Sequence, residues 1–181
     1  MDLRIRVEGD IKDPDILRKM DSLQLFVENN NKITVTYSIA DVVKQMHRTV
    51  MDDSLKYESI PTSREKVNNL FTMYSMSGDP DDFSAMIDYD YTVGLITALS
   101  TVMTTEEVFL FVVSVSNYIT TYFNENLNIN VTGMIVVIRD MVIMIIQSSS
   151  LSILFSLILI GIIASIFFKR ILWGFLAVVP L

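Results

Sequence analysis

The spacing of hydrophobic residues at the start of the chain changes twice, which predicts a strand, a helix and a second strand. Residues 3–7 alternate between apolar and charged side chains, the pattern of a half-buried strand. Asp13 then suits the N-cap of a helix, and Pro14 suits its first position. The apolar residues of this helix follow at steps of three and four: Ile16, Met20, Leu23 and Val27. Residues 33–37 alternate again and predict the second strand.

The middle of the chain shows helical periodicity only. Ser38 and Asp41 have the spacing of a capping box, and so do Thr62 and Glu65. Both pairs predict the start of a helix, with a polar loop over residues 52–61 between them. The expected apolar faces comprise Ile39, Val42, Val43, Met46 and Val50 in the first helix and Val67, Leu70, Phe71 and Tyr74 in the second.

The strand–helix–strand pattern returns in the second half of the chain. Residues 91–99 are strand-like, and Gly94 within them indicates a bulge or close packing. Thr104 and Glu107 predict another capped helix, and residues 127–131 alternate as a closing strand. The expected apolar faces comprise Tyr91, Val93, Leu95 and Leu99 in the strand and Phe109, Val112, Val113, Ile119 and Phe123 in the helix.

Two β-α-β units, residues 2–37 and about 90–132, therefore surround a helical insertion. Packed side by side, they predict an α+β fold of the ferredoxin-like (split β-α-β) type, with helices covering one face of the sheet. We expect this domain to occupy residues 1–132 and a helix over 133–168 to follow it directly.

The C-terminal part of the chain has the composition of a transmembrane helix. No residue from Met141 to Phe168 carries a formal charge, and the polar run at 147–150 places the span at about residues 150–168. The whole chain is 51% hydrophobic and has a mean hydropathy of +0.44. The alternative interpretation is the buried core helix of a soluble protein. We expect a membrane protein.

The charges around this span predict its orientation. Lys169 and Arg170 follow the span, and no comparable basic pair precedes it because Asp140 offsets Arg139. The positive-inside rule then places the basic pair in the cytoplasm as a short link and residues 1–140 outside the cytoplasm. A tail-anchored protein with a cytosolic domain is the competing interpretation, and it violates that rule.

Both ends of the sequence predict a piece of a larger multi-pass protein. The N-terminus lacks the apolar core of a signal peptide, although an exported domain needs a preceding signal. Residues 171–181 are apolar but too short to cross a bilayer, and they are expected to begin a second, incomplete transmembrane helix. The expected location is the cell membrane, and the expected partners are the bilayer and the remaining transmembrane helices.

Composition also limits the chemistry. The net charge of −7 gives no attraction to nucleic acid, and the absence of cysteine excludes disulfides and zinc–thiolate sites. His47 has no evident catalytic partner and is expected to be an ordinary surface or interface residue. Solvated helix starts are expected, rather than a cation site, at Asp79, Asp81, Asp82, Asp88 and Asp90. We therefore expect no enzyme, no cofactor and no metal site.

Small residues in the span are the candidate contacts with other helices: Ser152, Ser156, Gly161 and Ser165. Gly161 and Ser165 have the small-xxx-small spacing that lets helices approach closely in lipid. An isolated anchor tolerates the same residues, so a packed helix and a lone helix both remain open.

Several short motifs are spread over nearly the whole chain. They are GDIKDP at 9–14, SIADVVK at 38–44, IP at 60–61, SGDP at 77–80, DYDY at 88–91, VTG at 131–133 and FFKR at 167–170. Together they resemble the outer domain of resistance-nodulation-division (RND) exporters, nearest to the predicted-exporter group related to the mycobacterial MMPL lipid transporters.

The resemblance implies a protein of two homologous halves, each with six spans and an extracytoplasmic porter domain built from ferredoxin-like subdomains. It implies proton-driven export of hydrophobic or amphiphilic molecules, lipids among them, with relay acids on a helix outside this sequence. The expected function is a fragment of such an exporter, with homo-oligomer formation left open. The alternative is an extracytoplasmic binding or adaptor domain anchored by one helix.

Overall fold

A computed structural model describes residues 1–77, 83–123, 127–167, 169 and 172. The chain divides into two units, Met1–Ile138 and Arg139–Leu181. The described elements are β1 (Asp2–Glu8), α1 (Pro14–Glu28), β2 (Ile33–Tyr37), α2 (Ile39–Val50), a 3-10 turn (Leu55–Tyr57), α3 (Arg64–Ser77), β3 (Val93–Ser100), α4 (Thr105–Tyr122), β4 (Ile129–Thr132) and α5 (Met134–Phe167). The chain therefore has the α+β composition that its periodicity predicts.

The described strands form one antiparallel sheet in the order β2-β3-β1-β4. Ile5 on β1 lies opposite Ile96 on β3 and opposite Val131 on β4. Because side chains alternate along a strand, one face of the sheet collects the apolar residues. This face shares a single hydrophobic core with α1 and α4, and its fully buried members are Leu3, Ile5, Val7, Ile96 and Ala98.

The opposite face of the sheet is exposed and has two chemically different halves. The half formed by β1 and β4 is polar and carries Asp2, Arg4, Arg6, Glu8, Asn130 and Thr132. Ion pairs join Arg4 to Asp2 at 3.0 Å and Arg6 to Glu8 at 2.5 Å. The half formed by β2 and β3 is mainly apolar and carries Val35, Tyr37 and Leu99, which are 49%, 36% and 43% exposed.

Local hydrogen bonds start three helices at the predicted residues. The Asp13 carboxylate accepts a backbone N–H of the first turn of α1 at 2.9 Å. Ser38 with Asp41 and Thr104 with Glu107 form reciprocal capping boxes at α2 and α4. The three predicted caps are confirmed, because an N-cap depends mainly on residues within one turn of it.

The start of α3 differs by one residue from the predicted box at Thr62 and Glu65. The helix begins at Arg64, and the Ser63 hydroxyl accepts the backbone N–H of Lys66 at 3.4 Å. Adjacent threonine and serine residues both suit an N-cap, so the sequence pattern did not distinguish them.

The buried face of β3 is opposite to the face predicted from its spacing. Ile96 and Ala98 are buried, whereas Val93, Leu95 and Leu99 lie on the open face. β3 lies between β1 and β2 and is apolar on both faces, so alternation alone does not indicate which face the helices cover.

The buried face of α4 is also rotated from the predicted one. Its buried residues are Val108, Phe111, Val112 and Val115. Val113, which was expected on the apolar face, is 51% exposed. Residues 108–115 are apolar around most of the helix, so their period defines a face poorly.

The helix α5 runs from Met134 to Phe167 and includes the polar run at 147–150 without interruption. Its most apolar 18-residue window has a mean hydropathy of 2.6, and 0% of that window is buried in the described structure. Its length and composition are compatible with a transmembrane helix. The predictions for Phe168, Arg170 and the segment 171–181, apart from Leu172, lie outside the described residues.

Candidate functional site

An apolar groove of about 650 Å³ lies between α2 and α3 in the first unit. It is lined by Val42, Gln45, Met46, Thr49, Val50, Leu70, Met73, Tyr74, Met76 and Phe83. α2 buries Ile39 and Val43 in the core, and its neighbouring stripe of Val42, Met46 and Val50 faces the groove instead. In the sequence pattern both stripes belong to one apolar face, so the groove was not predicted.

Among the described residues, none that lines the groove carries a formal charge. Three of the lining residues are methionines, and the side chains of Met73 and Met76 are 52% and 84% exposed. The Thr49 hydroxyl donates to the Gln45 carbonyl at 2.9 Å, so the helix itself uses this polar group. A groove of this volume and composition suits an apolar ligand, and the flexible methionines can adapt to its shape.

Aromatic contacts fix one wall of the groove. The Tyr74 and Phe83 rings have their centroids 4.3 Å apart, and Phe83 also meets Phe71 edge to face at 6.3 Å. Phe71 in turn meets Tyr91 at 5.0 Å, and the Lys12 ammonium lies 4.0 Å from the centre of the Tyr91 ring. These contacts hold α3 beside the segment that precedes β3.

A buried polar cluster positions α2, which forms the other wall. The Gln24 side chain, 3% exposed, accepts a hydrogen bond from the Ser38 hydroxyl at 2.6 Å. Its amide group donates to the Thr36 hydroxyl at 3.0 Å and to the Asp41 carboxylate at 2.5 Å. These bonds join α1 to the start of α2, and no pattern in the sequence predicts them.

Lys44 extends this connection with two ion pairs. Its ammonium lies 2.6 Å from Asp21 and 2.9 Å from Asp41. Burial by itself lowers the pKa of Lys44, but the hydrogen bonds to Asp21 and Asp41 outweigh burial and raise the pKa above 10.5. The ion pairs of Lys44 therefore stabilise the folded state. Their stabilising effect is fully present below the pKa that Lys44 has in the unfolded chain, and it is lost as the pH rises through the higher pKa that Lys44 has in the folded chain.

His47, which was expected to be an ordinary surface or interface residue, lies between α2 and the loop that follows it. It is 9% exposed, and its Nδ1 lies 2.7 Å from the Ser59 carbonyl oxygen. Because a carbonyl oxygen only accepts, Nδ1 is the donor of this hydrogen bond. Its ring also meets Tyr57 edge to face at 5.8 Å. These contacts give His47 a structural role in holding the loop against α2.

Asp88, one of the described acidic residues near β3, closes a turn that precedes this strand. The Asp88 carboxylate accepts the Thr92 N–H at 2.7 Å, the Thr92 hydroxyl at 2.6 Å and the Val93 N–H at 2.7 Å. Desolvation raises the pKa of Asp88, but these hydrogen bonds outweigh it and hold the pKa below 3.8. Within residues 1–77, 83–123 and 127–167, no cluster of acidic or histidine side chains is arranged to hold a metal ion. Asp79, Asp81 and Asp82 lie outside the described residues.

The small residues of α5 form two pairs rather than one stripe. Ser152 and Ser156 lie one turn apart, as do Gly161 and Ser165. At about 100° per residue, the step from Ser156 to Gly161 turns the helix by about 140°, which puts the two pairs on different sides. The Ser165 hydroxyl donates to the Gly161 carbonyl at 2.7 Å. A single helix contact therefore cannot use all four residues.

The basic pair after α5 is described only in part. Lys169 is exposed, and its backbone N–H donates to the Ile166 carbonyl at 3.3 Å. Arg170, the other residue of the predicted cytoplasmic link, lies outside the described residues.

No protein-family model, no curated protein and no solved structure matches the chain. The geometry of the groove and the composition of α5 are therefore the basis for a functional proposal.

Proposed function

We propose that the chain is a membrane-bound module of a transporter resembling RND exporters, which move hydrophobic or amphiphilic molecules. The observation that carries this proposal is α5, in which no residue of the most apolar 18-residue window is buried in the described structure. An uncharged surface of this length is costly in water and stable in hydrocarbon. In this proposal α5 is one span of a multi-pass protein in the cell membrane, and the α+β domain is extracytoplasmic.

The strand order supports a ferredoxin-like assignment for the α+β domain. The helix α1 joins β1 to β2, and β3 lies between these two strands in the sheet. The helix α4 joins β3 to β4, and β1 lies between those two strands. Each β-α-β unit is thus split by a strand of the other, as in the split β-α-β fold. α2 and α3 form an insertion between the two β-α-β units, that is, between β2 and β3. The RND resemblance implies subdomains of this type.

The groove supports a role in handling apolar molecules. The lining residues that the structure describes are uncharged, and the groove's volume lies within the range of about 300–1,000 Å³ typical of ligand pockets. In this proposal the groove receives an apolar part of the transported molecule. The alternative function, a binding domain anchored by one helix, is favoured by the fact that the groove lies entirely within the first unit.

Binding of an apolar fluorescent probe tests the groove. We expect full-length protein in lipid nanodiscs to enhance the fluorescence of the uncharged dye N-phenyl-1-naphthylamine, and Met73→Lys to weaken that binding about tenfold by placing a charge in an apolar groove. Val113→Lys is the matched control, because Val113 on α4 is 51% exposed and Met73 is 52% exposed. Equal binding by the two variants would remove the groove from the proposal.

The coding sequence on either side of the chain separates the two functions. A continuous reading frame with a span before Met1 and further spans after Leu181 supports the transporter. A product that ends at Leu181 and is stable as a monomer supports the anchored binding domain.

A further inference from the structure

The sequence contains one Asn-x-Ser/Thr triplet, formed by Asn130, Val131 and Thr132. This triplet is the acceptor pattern for N-linked glycans when its middle residue is not proline. Its use requires that the asparagine amide and the threonine hydroxyl are both accessible, which sequence alone does not establish.

The fold presents both side chains of the triplet on the same exposed surface. Asn130 and Thr132 lie two residues apart on β4, so they point to the same side of the sheet, and both are exposed. Opposite them on β1 are Arg6 and Arg4, which belong to the polar half of the open face. The Asn130 amide donates to the Asn128 side-chain oxygen at 3.1 Å, an exposed contact that a modification can replace at little cost.

The position of β4 also leaves room for a bulky group. In the described structure β4 pairs with β1 on one side and is an edge strand on the other. A hydrophilic group at this edge covers polar surface and hinders the addition of a strand from another chain, a known hazard of exposed edges.

We propose that Asn130 is the acceptor of an N-linked glycan. This inference rests on the extracytoplasmic placement of the domain in the proposed function, since the modifying enzymes act on that side of a membrane. The co-substrate is an oligosaccharide linked through its C1 to a polyisoprenyl phosphate or diphosphate. The Asn130 Nδ2 forms a bond to C1 and loses one proton, while the C1–O bond breaks and the lipid phosphate leaves with the bonding electron pair.

Translation with microsomes of the complete reading frame that contains this chain tests the acceptor, because the domain then has the preceding span that its export requires. We expect one slower-migrating form that peptide N-glycosidase removes. Asn130→Gln and Thr132→Ala should abolish this form, and Thr132→Ser should retain it because serine also supplies the hydroxyl. A slower form that persists in Asn130→Gln would overturn the assignment.

A second acceptor distinguishes failure of the modification from failure of the topology. Asp52→Asn in the Asn130→Gln background creates a new triplet with Asp53 and Ser54 on an exposed loop. Asp52 has a φ of 53°, a conformation that asparagine tolerates well. If this variant is glycosylated and the wild type is not, Asn130 is not an acceptor although the domain is extracytoplasmic. If neither is glycosylated, the extracytoplasmic placement is wrong, and the acceptor proposal fails with it.

Discussion

At the scale of single residues, the first unit uses its polar side chains to hold helices and loops in place. Gln24 connects α1 to the start of α2, His47 connects α2 to the loop that follows it, and Asp88 closes the turn before β3. Each makes hydrogen bonds that join it to another segment of the chain or close a turn. We therefore assign these residues to stability, and their substitution provides direct tests.

Gln24→Leu should destabilise the first unit by about 1–3 kcal/mol, because the buried Ser38 hydroxyl and the Asp41 carboxylate lose a partner. Denaturant unfolding of the full chain, followed by circular dichroism, measures the change. Ser22→Ala is the control, since Ser22 lies on the exposed side of α1 and should change stability by less than about 0.5 kcal/mol. Similar midpoints for both variants would show that the cluster contributes nothing.

Asp88→Asn should weaken the turn before β3 at neutral pH. The folded pKa of Asp88 lies below its ordinary value, so its stabilising effect is present above the unfolded pKa and is lost as the pH falls through the folded pKa. The difference between variant and wild type should therefore be largest near pH 7 and should narrow below about pH 4. Hydrogen exchange of the Thr92 and Val93 amides, compared between variant and wild type at each pH, measures the loss of protection in the turn.

The neighbouring substitution Asp90→Asn controls for the change in net charge, since Asp90 is exposed. A pH-independent effect of Asp88→Asn, or the same effect from Asp90→Asn, would contradict the proposed role of the turn.

At the scale of elements, two glycines allow close approach for different reasons. A Cβ added at Gly94 on β3 would lie 2.6 Å from Met20 Cε and 2.9 Å from Ile11 Cδ1, both ends of flexible side chains. Gly133, between β4 and α5, has a φ of 105°, and a Cβ there would lie 2.7 Å from the Asp2 carbonyl oxygen. Side chains can move, whereas the backbone of a central strand cannot.

Gly94→Ala should therefore cost about 1–3 kcal/mol through overpacking. Gly133→Ala should cost more, because the strain of a positive φ adds about 1–3 kcal/mol to a clash with backbone. Thermal unfolding of both full-length variants in detergent shows which substitution lowers the stability more. The interpretation fails if Gly133→Ala is the milder change.

At the scale of the whole molecule, the first unit buries many of its apolar side chains in a core, whereas α5 exposes most of its own. The first unit has a hydrophobic core and satisfied buried polar groups, whereas α5 exposes large apolar side chains along most of its length. Leu159 and Ile158, near the middle of the predicted span, are 59% and 50% exposed. Membrane association should therefore depend on the apolar surface of α5.

Replacing both Ile158 and Leu159 with lysine should remove the chain from the membrane fraction, because two lysines at the centre of a span cost about 5–7 kcal/mol. Extraction of membranes with alkaline carbonate, followed by sedimentation, measures retention. Replacing both residues with alanine is the control, since it shortens the side chains without adding charge. Undiminished retention of the lysine variant would show that α5 does not anchor the chain.

Features that depend on neighbouring residues in the chain followed from the sequence. Asp13, Ser38 and Thr104 cap helices within one turn of themselves, and the uncharged composition of α5 is visible without any tertiary contact. The two β-α-β units were also predicted, because strands and helices differ in the period of their apolar residues.

Tertiary structure decided which apolar surfaces are buried and which remain open. Val93 and Val113 look like core residues in the sequence but face outward, because the apolar residues around them leave several faces equivalent. The groove arises where α2 and α3 leave Met46 and Met73 only partly covered, and the partners of Gln24 come from two other elements. Sequence period records that a side chain is apolar, but burial depends on which element packs against it.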